Sequence, residues 1–369
     1  MYEEIIQIIK GGIERNPQKV FNFSKKLADH LEVEGNKTFS RKINKLLTEK
    51  DMRSVTFNTL QSKPYDKDSH LEIVDVKVSA QGQFNDTDLF FSDSVENEIL
   101  SFIQSYKKKD CLIQNGISFN NNLLLYGPPG TGKTSIANYI SQETGLTLVT
   151  AKLDSLVSSL LGSTAKNIRK LFEYVDQQPC ILFLDEFDIL AKHRDDSNEL
   201  AELKRVVNSL LQNIDAFSQN NILIAVTNTP ALLDDAIWRR FDTKINISLS
   251  NDKIRRDLLV EFLKSFPNDF MSNEKNIAVL VFITESYSPS DIKILVNSAF
   301  KKAIIKEKTS ISFTDLLYEI LIFRNSGNIE IEKAVKYLRN YHVTQKDIAE
   351  TLNISVRQVR NHLEEVKHE

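Results

Sequence analysis

The sequence predicts an α/β fold: a parallel sheet covered on both faces by helices, with a helical unit before it and two helical blocks after it. Two observations predict this. Four short apolar runs, Leu123-Leu124-Leu125-Tyr126, Leu146-Thr147-Leu148-Val149, Ile181-Leu182-Phe183-Leu184 and Ile222-Leu223-Ile224-Ala225-Val226, alternate with loops and helical stretches. Near-continuous apolar strands are buried on both faces, and in a strand-helix-strand order that means a parallel sheet between helical layers. On either side of this window apolar residues recur every three or four positions, the period of a helix with one buried face.

Taken in order, residues 1–60 form the first helical unit, because Ile5, Ile6, Ile9, Val20, Phe23, Leu27, Leu31, Ile43 and Leu46 keep helical spacing, broken at Gly11-Gly12 and Pro17. Residues 61–89 read as a linker with one strand, Leu71-Glu72-Ile73-Val74-Asp75-Val76-Lys77-Val78, by alternation. The α/β core covers 90–250 and opens with a helix over 92–105 that has Ser94 near its start. Residues 251–325 are helical, with a Ser286-Tyr287-Ser288-Pro289-Ser290 break before a helix that starts near Asp291. Residues 326–369 form the last helical block. There is neither an internal repeat nor a low-complexity tract.

A chain of 369 residues, 41% of them hydrophobic, is long enough for two or three domains. Its 47 basic residues nearly cancel 50 acidic ones, leaving −3, so no field of the whole chain draws it to nucleic acid or to an anionic membrane. Such binding has to be local. Cys111 and Cys180 lack a metal-ligand spacing, and Cys180 sits in an apolar run; reduced, structural thiols are expected, and with them a cytoplasmic location. The start carries Glu3, Glu4 and Lys10 among short apolar stretches, and no later stretch reaches bilayer length, so neither a signal peptide nor a membrane anchor is expected.

The chemistry begins at Gly127-Pro128-Pro129-Gly130-Thr131-Gly132-Lys133-Thr134, which fits G-x-x-x-x-G-K-T between an apolar strand and a helix starting at Ser135. In such a loop glycines let backbone N–H groups close on phosphate oxygens and the helix N-terminus adds positive potential. Lys133 reaches the outer phosphates and the Thr134 hydroxyl ligates Mg²⁺. The bland alternative is an ordinary Gly/Pro turn. A second signal is Ile181-Leu182-Phe183-Leu184-Asp185-Glu186, a buried strand whose tip turns acidic. There Asp185 can hold Mg²⁺ through water while Glu186 polarises the attacking water, although acidic residues also end strands as solvated turns. Third, Ala225-Val226-Thr227-Asn228-Thr229-Pro230 ends a strand in an amide that can meet the γ-phosphate or the water, or can simply open a turn. Arg239 and Arg240 follow eleven residues on; a surface arginine pair is usually a solvated face.

In this order the loop 127–134, Leu184-Asp185-Glu186-Phe187-Asp188, Asn228 and Asp234-Asp235-Ala236-Ile237-Trp238-Arg239-Arg240-Phe241-Asp242 resemble the AAA ATPase family, over roughly residues 90–323. The resemblance implies a P-loop NTPase α/β core with a small helical lid, binding ATP and Mg²⁺. It also implies a homo-oligomeric ring, usually a hexamer, with nucleotide between subunits. On that model Gly127 through Ser135 and Asp185 bind the nucleotide and Asn228 is a sensor. Arg239 and Arg240 reach the neighbour's site as arginine fingers. Ser290-Asp291 falls where one clade of the family has a small residue, so the second sensor arginine is expected to be missing. Family members thread protein through a pore gripped by an aromatic loop; in Ser159-Leu160-Leu161-Gly162 the aromatic is replaced by Leu160, which weakens a threading reading.

The tail, Thr344 to Leu363, resembles a helix-turn-helix, with Ile348, Ala349, Leu352, Ile354, Val359 and Leu363 apolar, Ser355 capping the second helix and Asn353 at the left-handed turn position. Arg357, Gln358, Arg360 and Asn361 are expected to face outward, toward DNA or toward a protein. Three readings follow: a ring that remodels or translocates a protein client, a DNA-associated ATPase docking through its tail, and a slow nucleotide-gated regulatory ring. Within the first, the layout resembles bacterial AAA ATPases found beside subtilisin-like proteases in antiphage defence.

Overall fold

The computed structural model describes residues 5, 6, 8–10, 23, 24, 26–28, 30, 31, 37–46, 63–66, 72–77, 90–117, 119, 121–153, 161–188, 200–327 and 329–364. They divide into two compact units, one made of the residues before 89 with 98–126 and 133–245, the other of 89–97, 127–132 and 246–369.

In chain order the first part holds α1 (Lys37–Leu46), β1 (Val74–Lys77), α2 (Asp93–Lys107), α3 (Lys109–Gln114), β2 (Asn122–Tyr126), α4 (Lys133–Thr144), β3 (Thr147–Ala151), α5 (Leu161–Val175), β4 (Cys180–Leu184), α6 (Leu200–Asp215), β5 (Ile222–Thr227), α7 (Asp235–Trp238) and β6 (Thr243–Asn246). Other described residues ahead of α1 are helical as well. The four apolar runs are β2 to β5, and all of β4 and β5 is buried. The sheet order is β1-β3-β4-β5-β2-β6, with β3, β4, β5 and β2 mutually parallel where they pair. β1, the strand of the linker, lies antiparallel on the edge, Val76 opposite Val149.

This order positions the site. Ala225 of β5 stands opposite Leu124 of β2 on one side and Leu184 of β4 on the other, so the three strands deliver their C-terminal ends side by side. Ligands of open α/β sheets sit at those ends, where the strand order reverses. Beneath them Leu182, Leu184, Phe187, Leu223, Ala225, Ile237 and Phe241 form one buried cluster.

The second unit contains α8 (Asp252–Leu263), α9 (Glu274–Ile283), α10 (Pro289–Ile305), α11 (Phe313–Arg324), α12 (Ile331–Asn340), α13 (Gln345–Leu352) and α14 (Val356–Glu364). Lid and tail helices share one core, in which Leu259, Ile292, Leu295, Leu317 and Ile320 pack with Val335, Leu338, Ile348 and Val359. The tail is thus joined to the lid by apolar burial as well as by the chain. Two capping boxes fix α10 and α11, Ser288 with Asp291 and Ser312 with Asp315. The first places Pro289 at the opening of α10, a position that needs no N–H donor, so the helix begins two residues ahead of Asp291.

Candidate active site

β2 ends at Tyr126, six residues of loop follow, and α4 begins at Lys133. Gly130 has φ of 75° and a Cβ there would lie 2.4 Å from Ser288 Oγ, so the position is closed to any side chain by both torsion and space. Gly127, at φ 141°, runs as close to a backbone: its Cβ would meet the Ile247 carbonyl oxygen at 2.2 Å. The Thr131 hydroxyl donates to the Pro128 carbonyl at 2.9 Å and closes the loop on itself. Lys133 is buried, Thr134 exposed, and both stand on the first turn of α4. Burial holds the Lys133 ammonium below its ordinary pKa, while the carboxylates of Asp185 and Asp188 pull the other way. A cation desolvated in this way gains most from an arriving anion.

The C-terminal end of β4 leads into Asp185, half-buried, and Glu186, exposed. Asp185 Oδ1 accepts the Glu186 N–H at 2.9 Å, and Glu186 takes φ of 51°, a left-handed conformation uncommon for a residue with a side chain. Two bonds to the neighbouring strand hold this turn. The Phe187 N–H donates to the Val226 carbonyl at 2.8 Å, with the Phe187 ring buried edge-on against Phe241. Buried Asp188 accepts the Thr229 hydroxyl at 2.5 Å. Thr229 also donates its N–H to Thr227 Oγ1 at 3.1 Å, so both flanks of exposed Asn228 are fixed. Sequence reasoning gave Asp188 a place in the motif but no task; its signal was a carboxylate at the end of a buried strand, and its partner lies 41 residues away.

The arginines stand elsewhere. Asp234 caps the short α7 by accepting the Ala236 N–H at 2.8 Å, and Trp238 packs edge-on against Tyr126 at 5.4 Å. Beyond it the Arg240 carbonyl accepts from Asn122 Nδ2 at 3.3 Å, at the opposite end of β2 from the loop. The Arg240 guanidinium forks onto Asp215, Nε to Oδ1 at 3.0 Å and Nη2 to Oδ2 at 3.1 Å. Arg239 is exposed beside it, in a recess of about 390 Å³ lined by Asn121, Asn122, Asp215 and Gln219. From Asn122 to Tyr126 is four steps of strand, about 13 Å, so Lys133, Asp185 and Asn228 gather at one end of the sheet and the arginines at the other.

A hydroxyl at Thr134 and a carboxylate at Asp185 are hard oxygen donors. They suit Mg²⁺, which keeps several of its waters and takes few protein ligands. Of the stretch Ser159-Leu160-Leu161-Gly162, Ser159 and Leu160 lie outside the described residues, and Leu161 opens α5.

Residues 123–249 match the model of the ATPase family associated with various cellular activities (AAA). The chain is 40% identical over 236 residues, 63% of its length, to an uncharacterized AAA family ATPase of Sinorhizobium fredii, of which the match covers 69%. It is 33% identical over 218 residues to the proteasome-activating nucleotidase of Methanothermobacter thermautotrophicus, covering 57% of this chain and 52% of that one. Against an ATP-dependent zinc metalloprotease FtsH of Mycoplasmoides gallisepticum identity is 30% over 244 residues, 64% of this chain and 32% of the relative. The chain therefore spans about two thirds of the Sinorhizobium relative, about half of the second and a third of the third.

Proposed function

We propose that this chain, which belongs to the AAA ATPase family and hydrolyses ATP, does so in a ring of its own copies and uses the cycle to remodel or translocate a protein client. The observation that carries the reading is the separation along β2: Arg239 and Arg240 stand at the end of the sheet remote from Lys133, Asp185 and Asn228. Arginines so placed cannot serve their own site; Arg239, exposed, is the one available to a neighbour's, while Arg240 would first have to leave Asp215, and such fingers contribute about 10³–10⁵ in rate. Six copies is the expected closure.

In this reading the backbone of residues 127–132, Lys133 and Ser135 hold the phosphates, and Thr134 and Asp185 hold Mg²⁺, which would neutralise charge on the phosphates. Glu186, turned outward by its left-handed backbone, accepts the proton of the attacking water. Asn228 orients that water or the γ-phosphate from the fixed end of β5. Relatives named for proteasome activation and for proteolysis favour a protein client over other cargo; a subtilisin-like protease is the partner proposed, in the cytoplasm.

The test is a pull-down from the native host with Glu186→Gln loaded with ATP. A protein retained with ATP and released with ADP supports the client reading; an ATP-loaded oligomer that retains none contradicts it.

A further inference from the structure

The ATPase chemistry leaves the helix-turn-helix at the end of the chain unused, and its charges are sorted by face. On α13, Asp347 and Glu350 line a groove with Lys308, Ser312 and Asp315, and Glu350 stands 3.9 Å from the Lys308 ammonium. On α12 the lysines are neutralised within their own helix, Lys333 by Glu330 at 3.0 Å and Lys336 by Glu332. Arg339, also exposed on α12, donates to the Val343 carbonyl at 3.1 Å, and three further cations of the described tail lie on α13 and α14. Lys346, Arg357 and Arg360 are exposed, and Arg360 Nε donates to Gln345 Oε1 at 3.1 Å, which sets the middle of α14 beside the start of α13 and next to Lys346.

α14 itself is presented rather than packed. Over residues 355–361 Val359 is buried and every other residue is exposed. The turn before it is made by Asn353 in the left-handed conformation, φ 56°, and by Ser355, whose Oγ accepts the Gln358 N–H at 3.2 Å. Gln358 Oε1 in return accepts the Ser355 N–H at 2.8 Å, so Gln358 is occupied by the cap and is no reader. Arg357 and Asn361, four residues apart, share one helical face.

We propose that this tail docks duplex DNA, with the first turns of α14 in the major groove, Arg357 and Asn361 at base edges and Lys346 and Arg360 on phosphates. A B-form major groove, about 12 Å wide, admits a helix and presents acceptors to arginine and asparagine, whereas the major groove of A-form RNA is too narrow for one. The positive edge of α14 matches the phosphates that flank that groove, and the acids of α13 line the groove with Lys308, among groups of the same unit. Two phosphate contacts per tail make weak binding, strengthened when several copies engage one duplex. None of these residues belongs to the nucleotide site, so the inference stands or falls apart from the ring reading.

The experiment is fluorescence anisotropy of the full chain with a labelled duplex of about 30 base pairs, some three helical turns, at low and at physiological salt. Expected is salt-sensitive binding to DNA that exceeds binding to the same sequence as duplex RNA. Arg357→Ala/Arg360→Ala should weaken it at least about tenfold with ATP turnover unchanged, while Lys333→Ala/Lys336→Ala leaves it within about twofold. No DNA binding at low salt, undiminished binding by the α14 variant, equal binding of RNA, or a tail that captures a protein and no duplex would each overturn it.

Discussion

The Ser290 backbone N–H donates to the Gly130 carbonyl at 3.2 Å, joining the first turn of α10 to the phosphate loop across 160 residues of sequence. Ser288, which caps that helix, stands where a Gly130 Cβ would have to go, and Ser290 Cβ would lie 3.1 Å from it. The lid helix and the loop are thus fitted to each other at Gly130, where torsion and space both disfavour a side chain.

Gly130→Ala should therefore fail in two ways, through a left-handed alanine, about 1–2 kcal/mol, and through the clash with Ser288. ATP affinity is expected to fall at least about tenfold, about 1.4 kcal/mol. Gly116→Ala is the control: its φ is 73° and nothing lies within 4 Å of the added carbon, so it should lower the melting temperature and leave affinity alone. Titration with a fluorescent ATP analogue measures both, and a Gly130→Ala protein that binds like the parent refutes the fit.

Glu186 combines an exposed carboxylate with a left-handed backbone, and two substitutions separate these. Glu186→Gln keeps the backbone and should keep ATP affinity while turnover falls by about 10²–10⁴, the usual worth of a general base. Glu186→Gly should lose turnover equally but melt higher, because the torsion costs glycine nothing and costs other residues about 1–2 kcal/mol. Turnover and melting curves of the pair decide it; an active Gln variant removes the base, a less stable Gly variant removes the strain.

Asp315 links the caps of the lid to pH. Burial pushes its pKa up, but the Lys308 ammonium, 2.9 Å from each carboxylate oxygen, and the Ser312 hydroxyl and N–H outweigh it and hold the group below the ordinary range. With its folded pKa depressed, the unfolded chain binds the proton first as pH falls. The stabilisation is therefore complete above the ordinary value of about 4 and is lost as pH drops through the folded pKa. Asp315→Asn should destabilise α11 by about 1–2 kcal/mol at pH 7, the range of a lost cap, and the difference should close below about pH 4. Hydrogen exchange of the α11 amides reads this locally; a difference that persists unchanged in acid contradicts it.

Much of this was legible in the sequence where burial and motif coincide. Strands such as Ile181-Leu182-Phe183-Leu184 are apolar at every position because both faces are covered, and Gly127 and Gly130 of the motif fall where the backbone takes positive φ against close neighbours. Asn353 and Ser355 were readable for a similar local reason, since few residues tolerate that turn or cap that helix. β6 was missed: four residues, Thr243 to Asn246, bury only Ile245 and look like a loop. Pairings over distance were invisible too. Asp215 holds Arg240 from 25 residues away, Asp188 holds Thr229 from 41, and apolar periodicity gave the tail a buried face without saying that the lid would cover it. The left-handed turn at Glu186 has no signature in residue type, because glutamate does not favour it.

The central claim, that a neighbour completes the site, is tested most directly by mixing two inactive chains. Glu186→Gln has intact arginines and no base; Arg239→Ala has an intact site and lacks the exposed finger, and with that side chain at the surface it should fold and melt like the parent. Each alone should turn over ATP about 10²–10⁴-fold or more below the parent. Together they form interfaces in which a good site faces a good arginine, and turnover should recover to a sizeable fraction of the parent rate, rising with protein concentration. A mixture as dead as its components, or an Arg239→Ala chain fully active by itself, would contradict the account.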